Sequence, residues 1–238
     1  MSILDFVYQT LDPERLRKLP RPIRDLVWRA PIQLSDSLAK RCYKPICSII
    51  QIQNCNHKEA LLGDHIHDTS VTTNQRDILL KALADAAELN GNVVEVGSWK
   101  GVTTVELASH STKIVYAVDP FPKGCFPGID EAFSHFIDRT AHFPNIQHIR
   151  LHSGRAYNQL KRYPLSFVFV DAMHDFISSF YDISLWARML LEGGFLAMHD
   201  VDDHPGVNLA AQLMLKDKRF RIWGYCPNLL VLQRIRSV

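Results

Sequence analysis

The chain reads as an α/β protein with a Rossmann-like, seven-stranded, doubly wound sheet. The sheet is mostly parallel, ends in a C-terminal antiparallel hairpin, and is preceded by an N-terminal helical extension. Three observations predict this class. From residue 72 onward, apolar runs of strand length alternate with helical patterns, as parallel strands joined by crossover helices require. The run Val93-Val94-Glu95-Val96-Gly97 is followed by Ser98-Trp99-Lys100-Gly101, which reads as strand, tight turn and helix start. Two final β-rich runs flank Cys226-Pro227-Asn228, as in a hairpin.

The elements follow in order. Thr73 is expected to cap a helix over 74–89, with Ile78, Leu79, Leu83 and Ala86 on its apolar face, and Asn90-Gly91 stops it. The first strand covers 92–96 and a helix covers 102–109. The second strand spans 113–118 and ends at Asp119. A loop containing Pro120, Pro122, Gly124, Pro127 and Gly128 leads to a helix over 129–141. The third strand is 146–151. The fourth, 165–170, is apolar except for Ser166, as a strand buried on both faces should be. A helix over 176–191 is expected to end at Gly193-Gly194, before a fifth strand over 195–198. A helix over 207–216 and hairpin strands at 219–224 and 229–235 complete the pattern.

Residues 1 to about 60 differ. Pro13, Pro20, Pro22, Pro31 and Pro45 divide them into short helices. The first fifty residues carry nine Lys or Arg against five acidic residues. Residues 1–68 are therefore read as a helical extension or lid and 69–238 as the main domain. The extension packs on that domain or on a partner subunit. The alternative is a basic membrane-surface segment with Phe6, Val7, Trp28 and Leu34 on its apolar face.

Bulk properties narrow the classes. A length of 238 residues suits one domain with an appended segment, and 47% hydrophobic residues supply a core. The net charge of +2 gives no reason to expect nucleic acid. Apolar stretches fall short of the roughly 20 residues that span a bilayer. The first residues lack a secretory signal pattern, so a cytoplasmic location is expected. Cys42, Cys47, Cys55, Cys125 and Cys226 contain no CxxC pair and read as reduced thiols. A zinc site on Cys42, Cys47 and Cys55 is the alternative.

The chemistry gathers at predicted strand ends. Gly97 lets a ligand lie against the main chain, and Gly101 opens a helix whose free N–H groups favour polar ligand atoms. Asp119, 22 residues after Gly97, is placed to accept two ribose hydroxyls of a nucleoside cofactor. A nicotinamide dehydrogenase would carry Gly-x-Gly-x-x-Gly, whereas this chain has Glu-x-Gly-x-x-x-Gly.

With Phe-Val-Asp171-Ala-Met-His174 and Leu-Glu-Gly193-Gly194-Phe-Leu-Ala-Met-His199-Asp200 added, the stretch from about Thr72 to Arg234 resembles class I S-adenosylmethionine-dependent methyltransferases. More narrowly, it is similar to family-24 methyltransferase domains and macrolide-sugar O-methyltransferases. The resemblance implies that Glu95, Gly97, Ser98 and Gly101 hold the methionine part of the cofactor. It implies that Asp119 binds the ribose. Ser153, Gly154, Arg155 and Ala156 lie near the adenine, and Asp171 borders the same pocket.

Asp171, His174, His199 and Asp200 form a second group. Neighbouring strands bring Asp171 and His199-Asp200 together, where the carboxylates suit a divalent ion such as Mg²⁺ or Mn²⁺. His174 is the candidate base, since imidazole titrates near neutral pH. Metal-dependent relatives carry an acidic pair where this chain has His199-Asp200. Histidine disfavours Mg²⁺ and suits transition ions. Metal-assisted catalysis, metal-free base catalysis and a structural role all stand at this point. Asp202, Asp203 and His204 are close enough in sequence to reach the site. Asp64-His65-Ile66-His67-Asp68 reads as a loop over the cofactor or a chelating stretch. Trp99 packs over the cofactor or shields the turn, and Tyr157, Phe176, Tyr181 and Trp186 read as core.

The expected activity is O-methylation of a hydroxyl on a sugar or natural product. N- or C-methylation and a non-catalytic, partner-binding role are the alternatives. The expected partners are a small-molecule acceptor and a second copy of the chain.

Overall fold

A computed structural model describes residues 20–50, 68–122 and 128–235. The expectations for Phe6, Val7, Cys55, Gly124, Cys125, Pro127 and residues 64–67 lie outside that set, as does the side chain of Trp28. Among the described residues the extension holds α1 (Arg21–Arg24), which continues through a π-helical turn over Asp25–Arg29 into α2 (Ala30–Cys42), followed by α3 (Ile46–Ile49). The main domain runs α4 (Thr73–Asp85), β1 (Asn92–Val96), α5 (Val102–Ser109), β2 (Val115–Val118), α6 (Ile129–Thr140) and β3 (Ile146–Ile149). It continues with α7 (Ser153–Leu160), β4 (Leu165–Val170), α8 (Phe176–Ala187), β5 (Leu190–His199), α9 (Pro205–Met214), β6 (Phe220–Cys226) and β7 (Leu229–Arg234).

The seven strands lie in the order β3-β2-β1-β4-β5-β7-β6. All pairings from β3 to β5 are parallel, and β7 is antiparallel to both β5 and β6. Strand order reverses between β1 and β4, which opens the crevice where ligands bind in such sheets. Register keeps those tips level: Val96 pairs with Val170, and Val170 with Met198.

Period-two alternation builds the core. Val94, Val96, Val168, Val170, Leu196 and Met198 face α7, α8 and α9, while Val93, Phe167, Phe169, Phe195 and Ala197 face α4 and α5. Both sets are almost fully buried, so the buried residues of the central strands are apolar on both faces apart from Glu95, Ser166 and His199.

Most boundaries shift by a few residues, and three of the shifts have a clear physical cause. The α4 cap is Thr72, not Thr73. Its hydroxyl accepts from Gln75 N–H, and the Gln75 side chain accepts from Thr72 N–H, forming a capping box. The α8 helix stops at Ala187, and β5 begins at Leu190 instead of 195. Gly193-Gly194 therefore sits inside that strand. A Cβ on Gly194 would come within 2.9 Å of the Ser166 carbonyl oxygen, and Gly193 has φ +85°, so Gly194 serves close strand approach and Gly193 a left-handed backbone turn within the strand.

The extension docks beside the carboxyl ends of the strands. Tyr43 Oη donates to the Asp202 carbonyl (2.7 Å) and Ile46 N–H to Asp202 Oδ1 (2.8 Å). Asn208 and Gln212 of α9 donate to the carbonyls of Lys44 and Cys42. Asp36 of α2 accepts the Phe176 N–H at the start of α8. Among the described residues, no helix is long and apolar enough to cross a membrane.

Candidate active site

The turn after β1 is shaped by contact with β4. Gly97 has φ +91°, and a Cβ there would stand 1.9 Å from the Asp171 carbonyl oxygen. Only glycine lets the two strand ends touch. Trp99, at φ 43°, takes a left-handed conformation that is uncommon for a bulky side chain, and it packs against the cluster of Phe121, Ile129 and Phe136. Asp119 holds this turn: Oδ2 accepts from the N–H groups of Ser98 (3.2 Å) and Trp99 (3.1 Å), and Oδ1 from Phe121 N–H (3.0 Å). The loop-holding and ribose-binding readings of Asp119 are thus compatible, because each carboxylate oxygen has more than one acceptor site. Lys100 is tied to Asp68 (3.0 Å), which also meets Arg139 (3.2 Å).

Glu95 lies beneath the turn, 1% exposed and bonded to the Thr104 hydroxyl of α5. Burial pushes its carboxyl up to about 8, and the nearby Asp171 and Asp119 charges add to this against the Thr104 bond. No ion pair with a basic side chain is recorded for Glu95 among the described residues. A buried acid in that state is prepared for a proton or for a ligand cation. The ammonium of a bound methionine moiety would supply the latter. Ser98 Oγ is also buried, beside Glu95, whose carboxyl pKa it lowers against the rise that burial causes.

The predicted adenine residues open α7 at the same sheet edge. Ser153 Oγ accepts from Trp186 Nε1–H (2.8 Å) and bonds to the buried Asp182. A Cβ on Gly154 would lie 2.6 Å from Tyr181 Oη. Both residues therefore also serve the α7–α8 contact. Arg155 is exposed and Ala156 is buried. Tyr181 and Trp186 are core, as expected, and Tyr157 and Phe176 pack against it.

The second group assembles at the tips of β4 and β5. His174 Nε2 donates to Asp200 Oδ2 (2.8 Å). His199 Nδ1 faces Asp200 Oδ1 (3.2 Å) and Asp171 Oδ1 (3.5 Å). Asp200 has φ 61°, a left-handed conformation that Asp tolerates better than most residues. Asn228 Nδ2 supports it through Oδ1 (3.0 Å). The Asp200 bond raises the His174 pKa above its ordinary 6.5 despite partial burial. Burial opposes charge on His199, but Asp171 and Asp200 outweigh it and push that ring up to about 10. Burial would raise Asp200, yet the bond from His174 and the positive charges of the two histidines hold it far below the usual carboxylate range.

His199 Nδ1 is buried and makes no well-formed hydrogen bond, although two carboxylates converge on it. A cation fits there. Bonds of about 2.1 Å at ordinary ligand angles put neighbouring ligand atoms roughly 3.0–3.4 Å apart, close to the separations observed. The donor set fits a divalent ion held by Asp171, His199 and Asp200.

Of the residues close in sequence, His204 stacks on His174 with ring centroids 4.0 Å apart. Asp202 is turned away from the site. Its carboxylate accepts from Ile46 N–H, Tyr225 Oη and Asn228 N–H, so it joins the extension to the hairpin. Asp203 takes a bond from Asn228. Sequence reasoning missed Gln75, Asn228 and Gly206. A Cβ on Gly206 would fall 2.3 Å from the His174 carbonyl oxygen, so this glycine sets how α9 supports the His174 loop. The signal for Gln75 was its place three residues after a capping threonine.

Residues 94–201 match the model of a family described as a methyltransferase domain. The fold is that of a class I methyltransferase. Solved structures with this fold include the O-methyltransferase NovP, at TM-score 0.58 and 14% identity over 71% of this chain and 83% of that one. The apo structure of CalS11, a TDP-rhamnose 3'-O-methyltransferase of calicheamicin biosynthesis, gives TM-score 0.51 and 13% identity over 97% and 92%. An O-methyltransferase from Bacillus cereus in complex with SAH gives 0.53 and 14% over 86% and 100%. No curated protein matches the sequence.

Proposed function

We propose that this methyltransferase-fold chain uses S-adenosylmethionine to methylate a hydroxyl group on a sugar or other natural product. The observation that carries the reading is the junction at Gly97. There the turn held by Asp119 touches the backbone of Asp171, so a cofactor pocket and an imidazole–carboxylate group share one strand end. The SAH-bound structural relative supports the cofactor, and the printed activities of NovP and CalS11 support the oxygen acceptor.

The sulfonium of the bound cofactor supplies an electrophilic methyl group. The protein orients the acceptor and removes one proton. With Nε2–H donated to Asp200, neutral His174 presents Nδ1 as the accepting nitrogen. Asp200 fixes that tautomer and stabilises the imidazolium that forms. Asp171, His199 and Asp200 would hold a divalent ion, whose chemistry is to lower the pKa of an acceptor hydroxyl. Asp119 binds the ribose, Glu95 receives the methionine ammonium, and Met173, 63% exposed beside His174, gives the acceptor an apolar rim.

Turnover of His174→Ala tests this assignment against a panel of glycosidic and phenolic hydroxyl acceptors. The variant is expected to keep wild-type affinity for S-adenosylhomocysteine and to lose about 10²–10⁴-fold in turnover. Undiminished turnover would remove His174 from the mechanism. Loss of activity on chelation, restored by a divalent ion, would support the metal.

A further inference from the structure

We propose that Gln75 is a positioning residue that fixes the tautomer of His199 and thereby gives the strand-end site a preference for an imidazole-binding transition ion such as Zn²⁺ over Mg²⁺. The inference rests on the reading of Asp171, His199 and Asp200 as a cation site. Gln75 belongs to α4, outside the residues matched by the family model.

Two backbone groups set the orientation of its amide. Thr72 N–H donates to Gln75 Oε1 (2.7 Å), and Gln75 Nε2 donates to the Pro227 carbonyl (2.8 Å). The oxygen is therefore the atom that faces His199 Nε2 at 3.1 Å. A carbonyl oxygen can only accept, so His199 Nε2 must carry the hydrogen. In a neutral ring the lone pair then falls on Nδ1, the buried nitrogen aimed at the Asp171 and Asp200 carboxylates. Phe169 packs edge-on to the ring (centroids 6.3 Å, 71°) and restricts its rotation.

Nδ1, aimed at two carboxylates, is a seat for a proton or for a metal cation that displaces it, and a set of one imidazole and two carboxylates determines which metal. Mg²⁺ favours oxygen ligands, and imidazole nitrogen raises affinity for Zn²⁺ and Fe²⁺. Without Gln75, the ring gains by placing its hydrogen on Nδ1, toward the carboxylates. That tautomer has no lone pair for a metal. Partners that hold the far nitrogen of a ligand histidine typically affect metal affinity about 10–100-fold.

The test is calorimetric titration with Zn²⁺ and Mg²⁺ of the full chain, in a His204→Ala background that dismantles the neighbouring His174–Asp200–His204 group. Gln75→Leu, Gln75→Glu and His199→Ala are compared, with S-adenosylhomocysteine affinity and melting temperature recorded on each. The expectation is Zn²⁺ bound at least about tenfold more tightly than Mg²⁺, a loss of about 10–100-fold in Gln75→Leu, and retention in Gln75→Glu, which keeps an acceptor opposite Nε2. His199→Ala defines the zero. Equal Zn²⁺ affinity in Gln75→Leu, or preference for Mg²⁺ in the parent, overturns the inference and leaves the cation site standing. No binding of either ion by the parent overturns both, while intact S-adenosylhomocysteine binding would keep the cofactor reading. If Gln75→Leu melts early, Gln75→Met, which also removes the acceptor opposite Nε2, takes its place with the same expected loss.

Discussion

Single residues here carry two duties at once, and their substitutions should separate by readout. Asp119 holds the turn through three backbone N–H groups, and it is the residue proposed to bind the ribose. Asp119→Asn keeps acceptor capacity at one oxygen and should weaken S-adenosylhomocysteine binding by about tenfold or more, roughly 1.4 kcal/mol, with a modest change in melting temperature. Glu95 offers a pH signature. Its carboxyl is raised to about 8, so at neutral pH it holds a proton in the free protein. Capture of an ammonium should expel that proton. Calorimetry of S-adenosylhomocysteine binding at pH 7 in two buffers of different ionisation enthalpy should show proton release, and Glu95→Gln should abolish it.

At the scale of elements, the two glycine contacts near the site act through backbone geometry. Gly206→Ala would press a methyl group against the His174 carbonyl and the Phe176 N–H, shifting the loop that carries His174, the proposed base. Turnover should fall at least about tenfold, since small misplacements of reacting groups are costly, while S-adenosylhomocysteine affinity stays near wild type. Unchanged turnover would show that α9 does not set the loop. The first strand, its turn, the α5 helix and the fourth strand were legible in the sequence because Val93–Gly101 and Leu165–Val170 carry unambiguous local signals. The α8–β5 boundary was not. Leu190, Leu191 and the two glycines suit a helix end locally, and strand pairing of Leu190 with Leu165 decides otherwise. Asp171, His174, His199 and Asp200 were recognisable as strand-end polar residues. Gln75 and Asn228 were not, because their roles come from contacts across 124 and 28 residues of chain.

For the whole molecule, burial of acids makes stability depend on pH in a defined direction. Burial raises Glu95 to about 8 and Asp182 to about 7, from ordinary values of 4.5 and 3.8. A raised folded-state pKa means that the folded chain binds the proton more tightly. The associated stability is complete below the unfolded values and is lost as pH rises through about 7 to 8. The melting temperature of the cofactor-free protein should therefore fall from about pH 5 to about pH 8.5, and Glu95→Gln should flatten part of that slope. Bound S-adenosylhomocysteine should flatten it as well, by giving ionised Glu95 a cationic partner.

The most direct measurement is titration of the purified full chain with S-adenosylhomocysteine, beside Asp119→Ala. The account predicts saturable binding to one site per chain and a large loss of affinity in the variant. No uptake by the wild-type protein at millimolar ligand, or equal uptake by both proteins, would contradict it.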